Sequence, residues 1–351
     1  MNNCTPVEIA ASFFSAYGDP RATSIDFSLD GKYFLSTHTD DAMRLVDVTE
    51  IKHKETIALN TVGLWRARFT QSSGVVCLAS HRPCDGHLYL LNLNTAQLFA
   101  SMSFVSDTVP VVPAIPNRPA YTAIAQSPCN DTIAAVFSAQ GRLLLFHPLI
   151  SGAVAASAEN TFIGGGGAIS FSPEGTQLLV SDDSCVRVYD YRKLFSGPLL
   201  TLQHNKMLPH CDSCGERRCI GMDIGSGGEE LLLTYECGGV LLYDLRQNAV
   251  RGANFGIKGT IDGINSSCSV GARYVHPYLG HSPVVQLDST SGKDTRLLVY
   301  HGSRAKSRWG SLRYEILCVA DGDPIAMSVN PQYSMVATAA GGVTWWSFPP
   351  R

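Results

Sequence analysis

The sequence has little charge, no long apolar run and no basic leader. Charged residues make up 16% of the 351 residues, and 27 basic against 30 acidic residues leave a net charge of −3, so no basic field attracts nucleic acid. No apolar run reaches the roughly 18 residues of a membrane span. The first residues, MNNCTPVEIAASFFSAYG, lack a basic segment and contain Glu8, so we expect no signal peptide. We therefore expect neither a nucleic-acid partner nor a membrane partner.

Signatures of common enzymes are missing as well. The sequence has no Gly-x-Ser-x-Gly elbow and no His-Glu-x-x-His. The glycine run Gly164–Gly167 is followed by neither Gly-Lys-Ser/Thr nor a helical pattern, which phosphate cradles require, and is interpreted as a flexible link before a strand. The acidic pairs Asp40-Asp41 and Asp182-Asp183 lie in predicted turns, where Asp favours the turn backbone. We expect no catalytic residue and no cofactor.

The 11 cysteines are odd in number and scattered, unlike the even framework of a secreted disulfide domain. We expect reduced thiols in an intracellular protein. One cluster has metal-ligand spacing: Cys211, Cys214 and Cys219, with His210 and His204 nearby, contain enough thiolate and imidazole groups for tetrahedral zinc. Because a second Cys-x2-Cys pair is missing and Cys219 begins a predicted strand, a polar insertion with ordinary thiols is favoured over a zinc site.

What the sequence does have is a repeat of short strands and turns. Its clearest unit is Gly167–Arg192, in which an apolar strand, the turn Ser172–Gly175, a second apolar strand, an Asp-rich turn and an alternating third strand follow one another. Six other segments follow the same pattern, and the third strands close at Asp47, Asn92, His147, Asp190, Asp244, His301 and Ser347. A four-stranded propeller blade takes about 40–45 residues, so the longer intervals correspond to a blade plus an inserted loop.

The repeat predicts an all-β chain folded as a single domain, a seven-bladed WD-repeat β-propeller. The expected blades span 22–60, 63–105, 120–158, 167–204, 219–256, 270–320 and 323–351. The last blade ends near Phe348 and leaves no residues for a fourth strand. In segment 1–17, apolar residues alternate at period two, namely Val7, Ile9, Ala11 and Phe13. We expect this strand to complete the last blade and close the ring, because closure removes exposed edges.

The characteristic WD-repeat residues are only partly present. The Trp-Asp dipeptide is replaced by Val46-Asp47, Tyr189-Asp190 and Tyr243-Asp244, whereas Asp41 and Asp183 keep the Asp of the turn before the third strand. We interpret Asp41, Asp183, Asp190 and Asp244 as structural residues of the blade turns. Polar networks are then expected in only some blades, with apolar sheet-on-sheet packing holding the rest.

Three segments carry a resemblance to a known family. They are VYDYRKLFSGPLLTL (Val188–Leu202), GLWRARFTQSSGVVCLAS (Gly63–Ser80) and DGDPIAMSVNPQYSMVATAAGGVTWW (Asp321–Trp346). With the repeat, they make the chain resemble the WD repeat-containing protein 82 family, the Swd-type propeller subunits of transcription-associated complexes. The sequence departs from the family pattern in loops, chiefly Ser106–Ala120, Asn205–Arg218 and Ala305–Ser311, and is therefore similar to a divergent member.

The resemblance implies a non-catalytic scaffold in the nucleus, with a cytoplasmic fraction as a further expectation. It implies a monomeric propeller inside a hetero-complex. One such complex is a protein phosphatase 1 complex with a PNUTS-like targeting subunit in transcription termination; the other is a COMPASS-type histone methyltransferase, contacted through the methyltransferase's N-terminal region. A phosphorylated polymerase tail is a further implied partner.

Loops on one side of the predicted propeller collect aromatic and basic residues, which are enriched in binding hot spots. We predict a partner-binding face there, formed by Trp65, Arg66, His81, Arg82, Arg118, Arg217 and Arg218. An arginine cluster also suits an acidic or phosphorylated tail. For any single arginine, a solvated loop residue is the plain alternative.

Two other functions stay open at this point. One is a generic WD-repeat adaptor outside the nucleus, for instance in vesicle coats or ubiquitin ligases. The other is a propeller hydrolase, which needs convergent carboxylates or histidines on the innermost strands. Those strands carry mostly apolar residues, and Asp26 and Asp223 stand isolated among them, so we do not expect catalysis.

Overall fold

The computed structural model describes the strands of the chain and many of its turns. The described residues are 8–13, 20–82, 86–103, 120–137, 141–150, 152–157, 167–182, 185–203, 219–225, 227–235, 240–254, 273–275, 284–289, 294–300, 314–321, 324–340 and 342–348. Within them the chain is almost entirely β, apart from a short 3-10 helix, Tyr191–Ser196. In this part of the chain no helix has the length and apolar character needed to cross a membrane.

The strands form four-stranded antiparallel sheets whose members follow one another in the chain. Sheet 1 contains β2 (Ala22–Phe27), β3 (Tyr33–His38), β4 (Ala42–Asp47) and β5 (Lys52–Ala58). Sheet 2 contains β6 (Leu64–Phe69), β7 (Val75–Ser80), β8 (His87–Asn92) and β9 (Gln97–Ser103). Sheet 3 contains β10 (Tyr121–Gln126), β11 (Ile133–Phe137), β12 (Arg142–Phe146) and β13 (Ala153–Ala156).

The later sheets repeat this meander. Sheet 4 contains β14 (Ile169–Phe171), β15 (Gln177–Ser181), β16 (Cys185–Asp190) and β17 (Leu200–Gln203). Sheet 5 contains β18 (Cys219–Ile224), β19 (Glu230–Tyr235), β20 (Val240–Asp244) and β21 (Ala249–Asn254). Sheet 6 contains β22 (Arg273–Tyr274), β23 (Val284–Ser289), β24 (Asp294–Tyr300) and β25 (Tyr314–Asp321). Sheet 7 contains β26 (Pro324–Val329), β27 (Met335–Ala340), β28 (Gly342–Ser347) and, at its outer edge, β1 (Glu8–Phe13).

The sheets are arranged as a β-propeller, with the first strand of each sheet innermost. The prediction of an all-β propeller is confirmed. Its count of seven blades is not met in full: six sheets are regular blades, whereas the innermost strand of sheet 6 has only two residues, Arg273–Tyr274. The expected pairing of the first strand with the last sheet is present, with Glu8 opposite Ser347 and Phe13 opposite Val343.

The unit Gly167–Arg192 has the strands that its pattern predicts. Its turn at Ser172–Gly175 is closed by a hydrogen bond from the Gly175 N–H to the Ser172 oxygen, 2.8 Å, and Gly175 has a φ of 65°, which glycine adopts at little cost. The middle strands of the blades are buried on both faces because each sheet lies between two others. Apolar runs such as Leu231–Leu233 follow from this double burial.

The apolar cores lie between successive sheets. One of them joins sheet 7 to sheet 1 around Trp345 of β28, which is fully buried. Its ring centroid lies 6.1 Å from that of Phe27 and 5.3 Å from that of Phe34, and those two rings are 5.0 Å apart. Three aromatic rings from the two ends of the chain therefore pack into one cluster.

The cluster gives a direct test of this junction. Trp345→Ala removes a buried indole that both sheets contact, and we expect it to lower the free energy of unfolding by about 3–5 kcal/mol. The measurement is chemical denaturation followed by circular dichroism. Phe195→Ala is the control, since that residue is 78% exposed, and its effect is expected to stay below about 0.5 kcal/mol. Equal effects of the two substitutions would contradict the packing described.

Candidate binding face and central channel

Four residues of the predicted binding face lie within the described part of the chain, and the structure brings them together on sheet 2. His81 follows β7, and its N–H donates to the oxygen of Gly63, just before β6, at 2.8 Å. The Arg66 guanidinium lies 5.7 Å from the centroid of the Trp65 ring, within cation–π range. Trp65 is placed by a β-bulge, because Leu64 pairs with Ser80 and Arg66 with Ala79. Bulges re-aim side chains at the ends of strands.

Arg82 has a structural contact that sequence reasoning missed. Its guanidinium donates to the backbone oxygens of Asn60 and Thr61, each at 2.8 Å, and so restrains the link between sheets 1 and 2. The Ser80 hydroxyl donates to the oxygen of Val62 in the same link, 2.6 Å. Arg118, Arg217 and Arg218, the other predicted members of the face, lie outside the described residues.

Asp40 and Asp182 form side-chain contacts in the turns before the third strands of sheets 1 and 4. In sheet 1, Asp40 accepts from the Ala42 N–H at 3.1 Å and pairs with Arg44 at 3.0 Å. In sheet 4 the corresponding residue is Asp182, whose buried carboxylate accepts from the Cys185 N–H at 2.8 Å and pairs with Arg187. Asp183 lies outside the described residues, so its predicted structural role stays a prediction.

Asp41 instead links two sheets. It adopts a φ of 57°, in the left-handed region that Asp tolerates better than most residues. Its carboxylate accepts the N–H of Leu64, the first residue of β6, at 2.9 Å. The His81 imidazole lies 3.8 Å from the same carboxylate oxygen. Asp41 therefore orients the innermost strand of sheet 2 beside the predicted binding face.

Five of the seven residues that close the third strands share one role, capping the turn to the outer strand. Their side chains accept backbone N–H groups two or three positions later, as seen at Asp47, Asn92, His147, Asp190 and Asp244. Asp244 accepts from the N–H of Arg246 and of Gln247, both at 2.8 Å, and pairs with Arg251. The Gln247 N–H and the Arg251 guanidinium lower the pKa of Asp244. The structural assignment of Asp190 and Asp244 agrees with these contacts.

The two aspartates of the innermost strands are not isolated, which corrects the expectation from sequence. Asp26 accepts the N–H of Phe69 in the next sheet at 3.0 Å, and the Arg68 guanidinium lies 3.7 Å from its carboxylate. Arg68 also donates to the backbone oxygen of Ile25 at 2.8 Å. Burial raises the pKa of Asp26, and the charge of Arg68 opposes that shift.

Sheets 5 and 6 repeat this arrangement. Asp223 accepts the N–H of Tyr274 at 2.8 Å, and Arg273 donates to the backbone oxygen of Met222 at 2.8 Å while lying 3.9 Å from Asp223. We call the two sets the Asp–Arg clamps. A signal for them exists in the sequence, since Asp and Arg occupy equivalent positions in successive first strands. It emerges only when the repeats are aligned with one another.

The clamps line a cavity of about 510 Å³ at one end of the central channel. Its remaining walls are mostly apolar, with Leu29, Pro128, Pro173 and Pro331 supplied by the turns after the innermost strands. Each carboxylate in this cavity accepts a backbone N–H and faces an arginine, so neither Asp26 nor Asp223 is arranged as an unpaired acid or base.

Only Cys219 of the weak zinc candidates lies in the described chain. It is fully buried, and its thiol donates to the Gly221 oxygen at 3.3 Å. Burial raises the pKa of this thiol to about 11, whereas zinc binds the thiolate. Cys211, Cys214, His210 and His204 lie outside the described residues. Among the residues that the structure describes, no three His, Cys, Asp or Glu side chains are placed to hold a metal ion.

A double-mutant cycle on Asp26→Asn and Arg68→Met tests the clamp between sheets 1 and 2. We expect each single substitution to cost about 1–3 kcal/mol of unfolding free energy, because it leaves a partly buried charge without its partner. The coupling energy is expected at about 0.5–2 kcal/mol. Asp40→Asn with Arg44→Met is the control cycle, since this more exposed pair at i,i+4 is worth about 0.5 kcal/mol or less. Additive effects at Asp26 and Arg68 would refute the clamp.

Asp244 predicts a specific pH dependence of stability. Because its pKa is lowered in the folded chain, its stabilising contribution is present above the unfolded value of about 3.9 and is lost as the pH falls through the folded pKa. Asp244→Asn should cost about 1–3 kcal/mol at pH 7, and the difference from the unsubstituted chain should shrink below about pH 4. Denaturation curves from pH 3 to 7 measure this. Asp131→Asn, at an exposed position, should show no such difference, and a pH-independent loss at Asp244 would contradict the mechanism.

Comparison with known proteins identified no relative of this chain. No family model matches the chain, and no curated protein matches it. The resemblance to the WD repeat-containing protein 82 family therefore rests on the three quoted segments and the repeat, and the function is argued from the fold and from this chain's own residues.

Proposed function

We propose that the chain is a non-catalytic scaffold that binds other proteins through the outer surface of its propeller. The proposal rests mainly on the contacts of the charged residues in the channel. Each of the two described aspartates of the innermost strands accepts a backbone N–H from the next sheet and lies beside an arginine of that sheet. A hydrolase in the channel needs a carboxylate that is free to take or give a proton. In this propeller those carboxylates hold sheets together.

The proposed architecture is a ring of seven blades, with sheet 6 as an irregular sixth blade. Support comes from the contacts of the short strand β22 with the sheets on either side. Arg273 and Tyr274 contact β18 of sheet 5 through the second clamp, and Val275 packs in the core shared with sheet 7. The pairing of β1 with β28 and the Trp345 cluster support closure between sheet 7 and sheet 1. A closed ring has no free sheet edge between its first and last blades.

The proposed setting is a nuclear transcription or chromatin complex, and it is supported by the family resemblance alone. The partners proposed are a PNUTS-like phosphatase-targeting subunit and the N-terminal region of a COMPASS-type methyltransferase. A generic adaptor elsewhere in the cell remains the alternative. The cluster of Trp65, Arg66, His81 and Arg82 is the described part of the proposed binding face.

Affinity purification of the full chain from nuclear extract, followed by mass spectrometry, tests the setting. We expect a phosphatase-targeting subunit or a methyltransferase subunit at near-equal amount. Trp65→Ala with Arg66→Ala should reduce its recovery about tenfold, the loss of about 1.4 kcal/mol expected at a hot spot. Lys52→Ala with Lys54→Ala, on the exposed edge of sheet 1, is the control. Recovery of stoichiometric proteins that include neither subunit would reject the nuclear complexes and leave the adaptor function.

A further inference from the structure

Exposed apolar side chains concentrate on one sector of the propeller. Seven of the eleven large apolar side chains that are exposed in the described chain belong to the outer parts of sheets 2, 3 and 4. We define the apolar rim by its members on sheets 3 and 4, which are Leu149, Ile150, Val154, Phe195 and Leu199. Leu149 is 89% exposed and Phe195 is 78% exposed. Clusters of exposed apolar side chains often mark protein–protein interaction sites.

The members of the apolar rim lie on neighbouring elements. Leu149 and Ile150 occupy the turn that leads into β13, and Val154 lies within β13. Phe195 lies in the 3-10 helix that precedes β17, and β13 contacts that helix. A parallel bridge between Ser103 and Gly152 joins the end of β9 to the start of β13, so the surface continues toward sheet 2.

The outer strands in this sector also lack the charges that usually guard an exposed edge. The strands β9 (QLFASMS), β13 (AVAA) and β17 (LTLQ) contain no charged residue. The other outer strands do: Lys52 and Lys54 in β5, Arg251 in β21, Glu315 in β25 and Glu8 in β1. Charged side chains, especially lysine, prevent another chain from pairing with a sheet edge. The three outer strands without charge, β9, β13 and β17, belong to consecutive sheets.

Basic charge predominates beside Phe195 in the apolar rim. The 3-10 helix carries Arg192 and the exposed Lys193 and contains no acidic residue. Asp190, just before the helix, uses its carboxylate to accept the Arg192 N–H at 2.9 Å. A partner that covers Phe195 and Leu199 therefore meets a basic flank, which an Asp or Glu side chain complements.

We propose that an extended segment of a partner protein, apolar with an adjacent acidic residue, pairs with β17 as a fifth strand and packs on the apolar rim. This is strand addition to the edge of β17 that pairs with no other described strand, in which main-chain hydrogen bonds give affinity and alternate side chains give specificity. The inference rests on the proposed scaffold function and names its docking surface. It places that surface on the outer edge of the ring, away from Trp65 and Arg66.

Site-specific photo-crosslinking in the full chain tests the proposal. A photoreactive phenylalanine analogue replaces Phe195, and in a matched control it replaces Ile51, which is also exposed but lies beside the lysines of β5. We expect position 195 to crosslink, in its native cells, to one protein at a segment that combines apolar and acidic residues. Lys193→Glu should lower that yield about tenfold, while Lys52→Glu leaves it unchanged. Crosslinking to a second copy of this chain, or a yield at 195 no higher than at 51, would overturn the proposal.

A second measurement separates this inference from the scaffold function. Phe195→Asp with Leu199→Asp changes exposed side chains only, so thermal melting should be unchanged, and recovery of the crosslinked protein in affinity purification should fall about tenfold. Leu149→Asp on sheet 3 provides an independent variant if the pair alters melting. If the substituted chain keeps all its partners, the apolar rim is not their docking surface and the scaffold stands. If the unsubstituted chain recovers no stoichiometric protein, the scaffold function itself fails.

Discussion

Neighbouring sheets of this propeller meet face to face, and no main-chain ladder joins the innermost strands that the structure describes. Their order in the propeller therefore depends on apolar packing and on a few polar contacts that cross the junctions between sheets. At the junction of sheets 7 and 1, the Asn330 amide donates to the Gly31 oxygen at 2.9 Å. Gly31 has a φ of 69°, and a Cβ added there would lie 2.6 Å from the Asn330 side-chain oxygen. Gly31 thus allows both the left-handed turn conformation and the close approach of Asn330 at the junction of sheets 7 and 1.

Inside the channel, the Asp–Arg clamps are such polar contacts between neighbouring sheets. Each clamp satisfies a backbone N–H and a backbone oxygen of innermost strands that have no ladder partner on that side. The charges are partly buried, and such pairs stabilise a structure only when their remaining hydrogen bonds are made. Asp26 and Arg68 meet that condition through Phe69 and Ile25. Asp26, which could have suggested catalysis, therefore contacts the neighbouring sheet together with Arg68.

Local pattern was enough to predict the elements, but not the contacts between them. The meander of Gly167–Arg192 and the capping residues Asp190 and Asp244 follow from alternation and turn chemistry within a few positions. The clamps join residues more than 40 positions apart, so no local pattern pairs Asp26 with Arg68. The contact of Asp182 with the Cys185 N–H depends on backbone geometry, which an Asp-Asp pair in the sequence does not reveal.

The exposure of the apolar rim could not be predicted from the sequence either, because Phe and Leu residues are usually expected in the core. Among the described strands, the outer strand of each sheet pairs with a neighbour on one side only, so exposed apolar residues there are open to another chain. The outer strands of sheets 1, 5, 6 and 7 contain charged residues, and the three outer strands without any belong to neighbouring sheets. Unguarded edges scattered around the ring would be isolated aggregation hazards. A continuous unguarded sector with a basic flank instead matches the footprint of one extended partner segment.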